Sequence, residues 1–247
     1  MERWIIELSK ETDFETNSLA FVVFGTIILF VSWLFFNGAS TFSMYNARES
    51  GISKIMMVTI LSGCTGGICA TFIKPIIMGT FGAHNRYDVG ALTNGILSGL
   101  VAITGICDRV EPWAAFVIGA LSSLVYGFSC KLLQKLDIDD PIEASPVHGF
   151  NGLWGLIAVG LFDNQYGLFY GQEGCGSYFL WQLLGGLVII VWVFVTSATY
   201  FIILKKLNML RVPLLDELLG LDIVEHGSNA LKFEARLKEG FLKAVAE

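Results

Sequence analysis

Six apolar blocks, joined by short polar stretches, constrain what this chain of 247 residues can fold into. Each block is about 20 residues long, which is enough for an α-helix to cross a hydrocarbon core of about 30 Å. The predicted spans are residues 18–38, 55–77, 89–106, 113–133, 141–162 and 178–204. The sequence therefore predicts an all-α fold, a polytopic membrane bundle of six transmembrane helices.

Composition agrees with a membrane protein and argues against binding to nucleic acid. Hydrophobic residues make up 54% of the chain and charged residues 15%, whereas soluble domains carry about 25% charge. The net charge of −6 and the lack of a basic patch do not suit a nucleic-acid partner. We divide the chain into a polar N-terminal segment (1–16), a membrane domain (17–205) and a polar C-terminal tail (206–247).

The lysines and arginines favour one side of this predicted bundle. The tail and the connections on its side carry Lys74, Arg86, Lys131, Lys135, Lys205, Lys206 and Arg211. The opposite connections carry Arg48, Lys54 and Arg109. Because positive charge marks the cytoplasmic side, we expect both termini in the cytoplasm. We expect a multi-pass protein of the plasma membrane.

The first span carries a polar and aromatic face near its end. Four residues at positions i, i+3, i+4 and i+7 share this face: Trp33, Phe36, Asn37 and Ser40. They could line a partly wet path. The alternative is an interfacial aromatic belt at a helix end, where Trp is common. The pattern alone leaves both interpretations open.

His148 lies about two turns inside the predicted fifth span. An imidazole at membrane depth must be neutral or find a partner, so it indicates a polar pathway. Small residues on its face, such as Ala144, Gly152 and Gly155, leave room for a proton or a small polar molecule. The alternative is a buried structural histidine bonded to a neighbouring helix.

Three carboxylates precede His148 at the start of the fifth span: Asp139, Asp140 and Glu143. Acidic side chains stabilise the positive dipole end of a helix. We therefore expect at least one of them to cap this helix.

No catalytic or metal motif is found in the sequence. There is no C-x-x-C spacing, no nucleotide-binding loop and no G-x-S-x-G elbow, so we expect neither an enzyme nor a cofactor or metal. Cys107 and Cys175 fall on the same predicted outer side, which leaves a disulfide between them open.

Four motifs in order resemble the ammonium transporters of the Amt/MEP/Rh family. The run 140–152 resembles the family's penultimate span, and 33–40 resembles its sixth span. The stretch 91–104, with the turn at 111–115 after it, and the tail segment 210–227 match as well. The resemblance covers about residues 17 to 231 and is to the last six of the family's eleven spans.

This resemblance implies roles for individual residues. His148 resembles the second of the family's two pore histidines; the first has no counterpart here. Phe36 resembles a gating phenylalanine, with Trp33 and Asn37 in the same motif, and Ser40 resembles the hydroxyl of an outer recruitment site. Tail residues Gly220, Asp222, His226 and Gly227 resemble a regulatory segment that docks on the cytoplasmic face.

The resemblance further implies transport of ammonium or ammonia by a trimer with one pore per subunit. Since only six spans are matched, we expect this C-terminal part not to transport alone. Three alternatives stay open. The chain could associate, without transporting, with full-length subunits; it could be half of a split transporter; or it could be a membrane interaction protein.

Overall fold

The computed structural model describes residues 18–41, 51–81 and 87–213, together with 216 and 221. Over these residues the chain forms six long helices and no strand. They are α1 (Leu19–Ala39), α2 (Ile52–Met78), α3 (Val89–Thr104), α4 (Pro112–Lys135), α5 (Asn151–Phe162) and α6 (Cys175–Lys206). A π-helical turn, Ser145–Phe150, runs directly into α5. The prediction of an all-α fold with six helices is confirmed.

Four of these helices are long and apolar enough to cross a membrane: α1, α2, α4 and α6. Helix α3 is apolar but has only 16 residues. Helix α5 has 12 residues and reaches a comparable length only with the six residues of its π-helical turn. Span length thus varies more than the apolar blocks of the sequence indicate.

The chain divides into two compact units, and the division falls within α6. The first unit is Ser18–Ile190. In the described part of the second unit, the remainder of α6 presents exposed apolar side chains, and Thr196 donates its hydroxyl to the carbonyl of Trp192. Such a back-bonded hydroxyl needs no partner outside its own helix.

Helices α2, α3 and α4 pack closely because small residues stand where they meet. Ser62 of α2 is fully buried and donates its hydroxyl to the carbonyl of Gly99, at 2.8 Å. A Cβ added at Gly99 or at Gly119 would lie 2.3 Å from the carbonyl oxygen of Ser62. Only glycine permits this approach, which is the usual way membrane helices come together.

Capping side chains, a proline and a glycine define the helix ends. Ser18 and Asp88 accept hydrogen bonds from Phe21 N and Ala91 N at the starts of α1 and α3. Pro112 occupies the first turn of α4, where its missing N–H costs nothing. Gly79 ends α2 in the left-handed region with φ 78°, a conformation that glycine adopts readily.

Helix α5 packs on α3 and α4. Trp154 donates its indole N–H to the carbonyl of Ile118 at 3.2 Å, and a Cβ at Gly155 would lie 3.0 Å from the carbonyl oxygen of Ala102. A buried apolar cluster that includes Ile103, Ala115 and Phe162 fills the space between these helices.

The fifth helix begins later than predicted, which changes the position of His148. Residues 141–143 are not helical, and Glu143 has a φ of 58°, outside the helical region. His148 therefore lies in the first turn of the helix, and the prediction of two turns inside it was wrong. The reason is local: Asp140 accepts the backbone N–H groups of Ala144 and Ser145, which starts the helix there.

Candidate functional site

The aromatic pair at the end of α1 is held by α3. Trp33 donates its indole N–H to the hydroxyl of Thr104, 2.8 Å away. Phe36 packs edge-on against Trp33 with ring centroids 6.3 Å apart. The side of Phe36 away from Trp33 is free, and the residue is 59% exposed. Phe36 is therefore an exposed aromatic ring that packs on Trp33, whose own position is fixed by Thr104.

Asn37 does not share the surroundings of Phe36, whereas Ser40 does. Asn37 is 2% exposed and donates its amide N–H to the hydroxyl of Thr59 on α2, at 3.1 Å. Ser40 is exposed and donates its hydroxyl to the carbonyl of Phe36, at 2.7 Å. The predicted face is thus divided: Phe36 and Ser40 lie at the surface, whereas Asn37 ties α1 to α2.

His148 lies at the surface of the π-helical turn, and its side chain is exposed. Within the residues that the structure describes, the imidazole makes no hydrogen bond or ion pair. A Cβ added at Gly149 or at Gly152 would meet nothing within 4 Å, so the surface beside the ring is open. A π-helical turn is rare and is often found at functional sites.

A group of polar side chains, the Lys74 cluster, lies where α2, α3, α4 and the segment before α5 meet. Its members are Lys74, Asn94, Tyr126 and Glu143. Lys74 is a half-buried cation whose Nζ lies 2.6 Å from Glu143 Oε1 and 3.0 Å from Tyr126 Oη. Asn94 Nδ2 donates to Glu143 Oε2 at 2.9 Å, and Tyr126 donates its hydroxyl to the same oxygen.

Further charges surround this cluster. Asp88 Oδ2 lies 3.7 Å from Lys74 Nζ, and Lys74 also stands 5.2 Å from the ring centroid of Tyr126. A cavity of about 230 Å³ opens beside Glu143, with Asp140 and Pro146 in its lining. The cluster thus balances one cation against two carboxylates at one end of the bundle.

A second polar network lies at the opposite ends of α2 and α4. Glu111 accepts hydrogen bonds from Lys54 Nζ and Asn164 Nδ2, both at 3.2 Å. These bonds, that from Asn164 foremost, lower the pKa of Glu111 from its ordinary value of 4.5. Asp163 is buried and accepts the hydroxyl of Tyr178 at 3.0 Å, with Arg109 at 3.6 Å.

The cysteines on this side are not paired. Cys107 and Cys175 are both free in the structure, so the disulfide left open from the sequence is not formed. Burial raises the pKa of the Cys107 thiol to about 11, with the nearby Asp108 adding to it. A thiol of this kind is protonated at neutral pH and reacts slowly.

The most connected residues of the site were not singled out from the sequence. In the sequence, Lys74 is only a signal of topology, and no motif marks Tyr126. Asn94 is one member of the matched stretch 91–104. Two features of the sequence could have indicated this cluster: a lysine inside an apolar block and a carboxylate ahead of His148. Charges near membrane depth need partners.

Other predicted residues lie outside the part of the chain that the structure describes. These are the tail residues Gly220, Asp222, His226 and Gly227. Over the described residues, no group of three or more His, Cys, Asp or Glu side chains could hold a metal ion.

The fold and these surfaces define a polytopic helix bundle with an exposed histidine and an exposed aromatic ring on apolar helices. The profile of the Ammonium Transporter Family matches residues 3–231. This chain belongs to the Ammonium Transporter Family, and it is a multi-pass membrane protein.

Individual relatives agree with the family profile. Ammonium transporter Amt2 of Archaeoglobus fulgidus is 39% identical over 223 residues, which cover 87% of this chain and 46% of that protein. Ammonium transporter 1 member 1 of Arabidopsis thaliana is 36% identical over 239 residues, with 88% of this chain and 46% of that protein covered. The chain therefore spans about half the length of the curated relatives it matches.

Solved structures show the same fold. A structure described as a Sensor Amt Protein superposes with a TM-score of 0.73 at 28% identity, over 85% of this chain and 49% of that one. Mep2 of Saccharomyces cerevisiae superposes with a TM-score of 0.67 at 25% identity, over 78% of this chain and 46% of that one.

Proposed function

We propose that this chain supplies the His148-bearing wall of an ammonium or ammonia pathway and needs facing helices from another polypeptide segment to conduct. The observation that carries the proposal is the exposed imidazole of His148 on an otherwise apolar helix, with open surface at Gly149 and Gly152. An exposed ring of this kind is unfavourable against lipid and suits a path shared with facing helices. Relatives named ammonium transporters supply the substrate class.

Phe36 and Ser40 complete the proposed path at its outer mouth. Phe36 presents an open ring fixed by Trp33, as a gate requires, while the hydroxyl of Ser40 lies at the surface where a cation could first be held. The role proposed for Asn37 is different, because its amide is buried: it fixes the end of α1 against α2. The function is passage of substrate rather than catalysis.

The proposed assembly is a trimer in the plasma membrane, built either from copies of this chain with facing helices or with full-length subunits. Support comes from the two helices whose apolar side chains are least covered, α1 and α6. Tail residues Gly220, Asp222, His226 and Gly227 would dock on the cytoplasmic face of that assembly and regulate it.

Complementation tests the proposal. The chain is produced in a host without its own ammonium transporters, alone or together with the first five spans of Amt2 from Archaeoglobus fulgidus. We expect no growth on low ammonium from the chain alone and growth from the pair. In the pair, His148→Ala should lower ammonium-driven uptake by about 10-fold or more, because the polar path across the pore is interrupted.

Two controls make the result interpretable. The paired His148→Ala protein must reach the membrane in parental amounts. His84, in the polar stretch between the predicted spans 55–77 and 89–106, is the matched histidine, and His84→Ala must leave uptake near the parental level. Uptake that is unchanged in His148→Ala would contradict the assignment of the pathway. Robust growth from the chain alone would contradict the need for facing helices, and failure of the pair would favour a non-transporting interaction role.

A further inference from the structure

We propose that Glu143 is a positioning residue for His148: held by the Lys74 cluster, it sets the rotation of the π-helical turn that presents the imidazole. The inference rests on the proposed function for its effect on transport. Its structural part can be tested in the chain by itself.

The carboxylate of Glu143 is fixed from three helices. Lys74 of α2 contacts Oε1 at 2.6 Å, Asn94 of α3 donates to Oε2 at 2.9 Å, and Tyr126 of α4 donates to Oε2. The side chain of Lys74 is 12% exposed and that of Glu143 26% exposed. Bonds to a shielded carboxylate from charged and neutral donors are short and directional, so they hold its position tightly.

The backbone links the fixed Glu143 to His148. The backbone carbonyl of Glu143 accepts the backbone N–H of Val147, the neighbour of His148, at 3.1 Å. Val147 is 2% exposed, so its side chain anchors the same turn in the interior. His148 is five positions after Glu143, about one turn of a π-helix, so a displacement of one rotates the other.

The backbone at Glu143 supports a positioning role over a capping role. Asp140 already accepts the N–H groups of Ala144 and Ser145, so the helix start has its cap. Glu143 instead adopts a φ of 58°, a conformation that costs energy for a residue with a Cβ. This conformation turns its side chain toward α2, α3 and α4 rather than toward the start of its own helix.

The test uses the full chain as the parent, and the signals of His148 among its three histidines are assigned by their loss in His148→Ala. The side-chain ¹⁵N signals of His148 are recorded in detergent micelles for this parent, for Glu143→Gln and for Asp139→Asn. Asp139 is exposed, so its substitution removes the same charge without reaching the cluster. We expect the His148 signals to move or broaden in Glu143→Gln and to overlay the parent in Asp139→Asn.

Transport kinetics of the same variants, paired with the five-span segment, give the second readout. We expect Glu143→Gln to lower the maximal uptake rate about 10-fold, because a displaced imidazole interrupts the polar path across the pore. KM should stay within about twofold, because recruitment at the outer mouth is not touched. Unmoved His148 signals would overturn the inference, and so would an unchanged uptake rate with displaced signals where His148→Ala itself slows uptake.

A charge-balanced variant separates positioning from folding. Lys74→Met with Glu143→Leu removes both charges together, so no unpaired charge is left buried. We expect it to accumulate like the parent and still to show displaced His148 signals and slow uptake. Parental signals and uptake in this variant would show that only charge balance matters and would overturn the inference.

If His148→Ala leaves uptake unchanged while Glu143→Gln moves the signals, the proposed function fails and the positioning of the ring stands.

Discussion

Glu111 shows how a single side chain at the surface can join three connections of the bundle. It precedes α4, accepts a hydrogen bond from Lys54 at the start of α2, and accepts another from Asn164 after α5. Each of these partners lies on a different segment, so the carboxylate holds three segment ends together. Its ionised form is the form that accepts both bonds, and this makes the contact depend on pH.

Replacing Glu111 should therefore change stability in a pH-dependent way. The pKa of Glu111 is lowered in the folded chain, so its stabilising effect is present above about 4.5 and is lost as pH falls below that value. We expect Glu111→Gln to cost about 0.5 kcal/mol at pH 7, since an exposed pair is screened by solvent. Thermal unfolding in micelles from pH 7 to pH 3 measures the difference, which should shrink below pH 4.5.

Glu173→Gln is the matched control, because Glu173 is an exposed carboxylate in the connection between α5 and α6. Its unfolding midpoint should follow the parent at every pH. A Glu111→Gln difference that stays constant down to pH 3 would show that the ionised carboxylate is not the stabilising form.

The sequence showed which polar and aromatic residues share a helix face, but it could not show which residues they contact. Spacing along α1 places Trp33, Phe36 and Asn37 on one face, yet it could not show that Asn37 is buried against Thr59. That contact depends on how α1 approaches α2, which is a property of the bundle. The same holds for Glu143, whose partners come from three other helices and lie 17 to 69 residues away in the chain.

At the scale of elements, hydropathy located the helices well. Predicted span 18–38 is α1 (Leu19–Ala39), and 113–133 lies within α4 (Pro112–Lys135). The start of the fifth helix was missed because Pro141 suits a first turn, whereas Asp140 places the cap so that helical structure starts only after Glu143. The π-helical turn cannot be recognised from the spacing of apolar residues, because it adds one residue to a turn without changing composition.

The packing of α2 against α4 should be sensitive to one methyl group. At Gly119 an added Cβ would lie 2.3 Å from the carbonyl oxygen of Ser62, and backbone cannot move aside cheaply. We expect Gly119→Ala to destabilise the protein by about 1–3 kcal/mol, the usual cost of overpacking. Unfolding by SDS in mixed micelles, followed by circular dichroism, measures this difference.

Gly25→Ala on α1 provides the comparison, because a Cβ there meets nothing within 4 Å. Both substitutions replace glycine by alanine within a helix, so the gain in helix propensity of about 1 kcal/mol is shared. Gly25→Ala should unfold at the same or higher SDS. Equal midpoints for the two variants would mean that the close approach of α2 and α4 is not present in the folded protein.

At the scale of the whole molecule, charged side chains separate toward two ends of the bundle. Lys54 and Glu111 meet where α2 and α4 begin. Lys131 donates to the carbonyl of Ile77 at 2.6 Å where these two helices end, near Lys74 and Glu143. Helices α2 and α4 therefore run in the same direction, as they must if α3 crosses back between them. Hydropathy predicts such alternation, but it does not show which surface would face His148.

This alternation predicts the orientation of the protein in the membrane. If each of the six helices crosses once, both ends of the chain lie on one side, and the excess of lysine marks that side as cytoplasmic. The end of the bundle with Lys74 and Lys131 would face the cytoplasm, and the end with Lys54 and Arg109 would face outward.

Reporter tags fused at Met1 and at Glu247 should both report the cytoplasm, whereas a tag inserted after Gly171, in the connection between α5 and α6, should report the outside. The same tagged proteins with Lys74→Met and Lys131→Met should keep this orientation, because the tail still carries Lys205 and Lys206. Terminal tags on opposite sides of the membrane would mean that one of the shorter helices, α3 or α5, does not cross it.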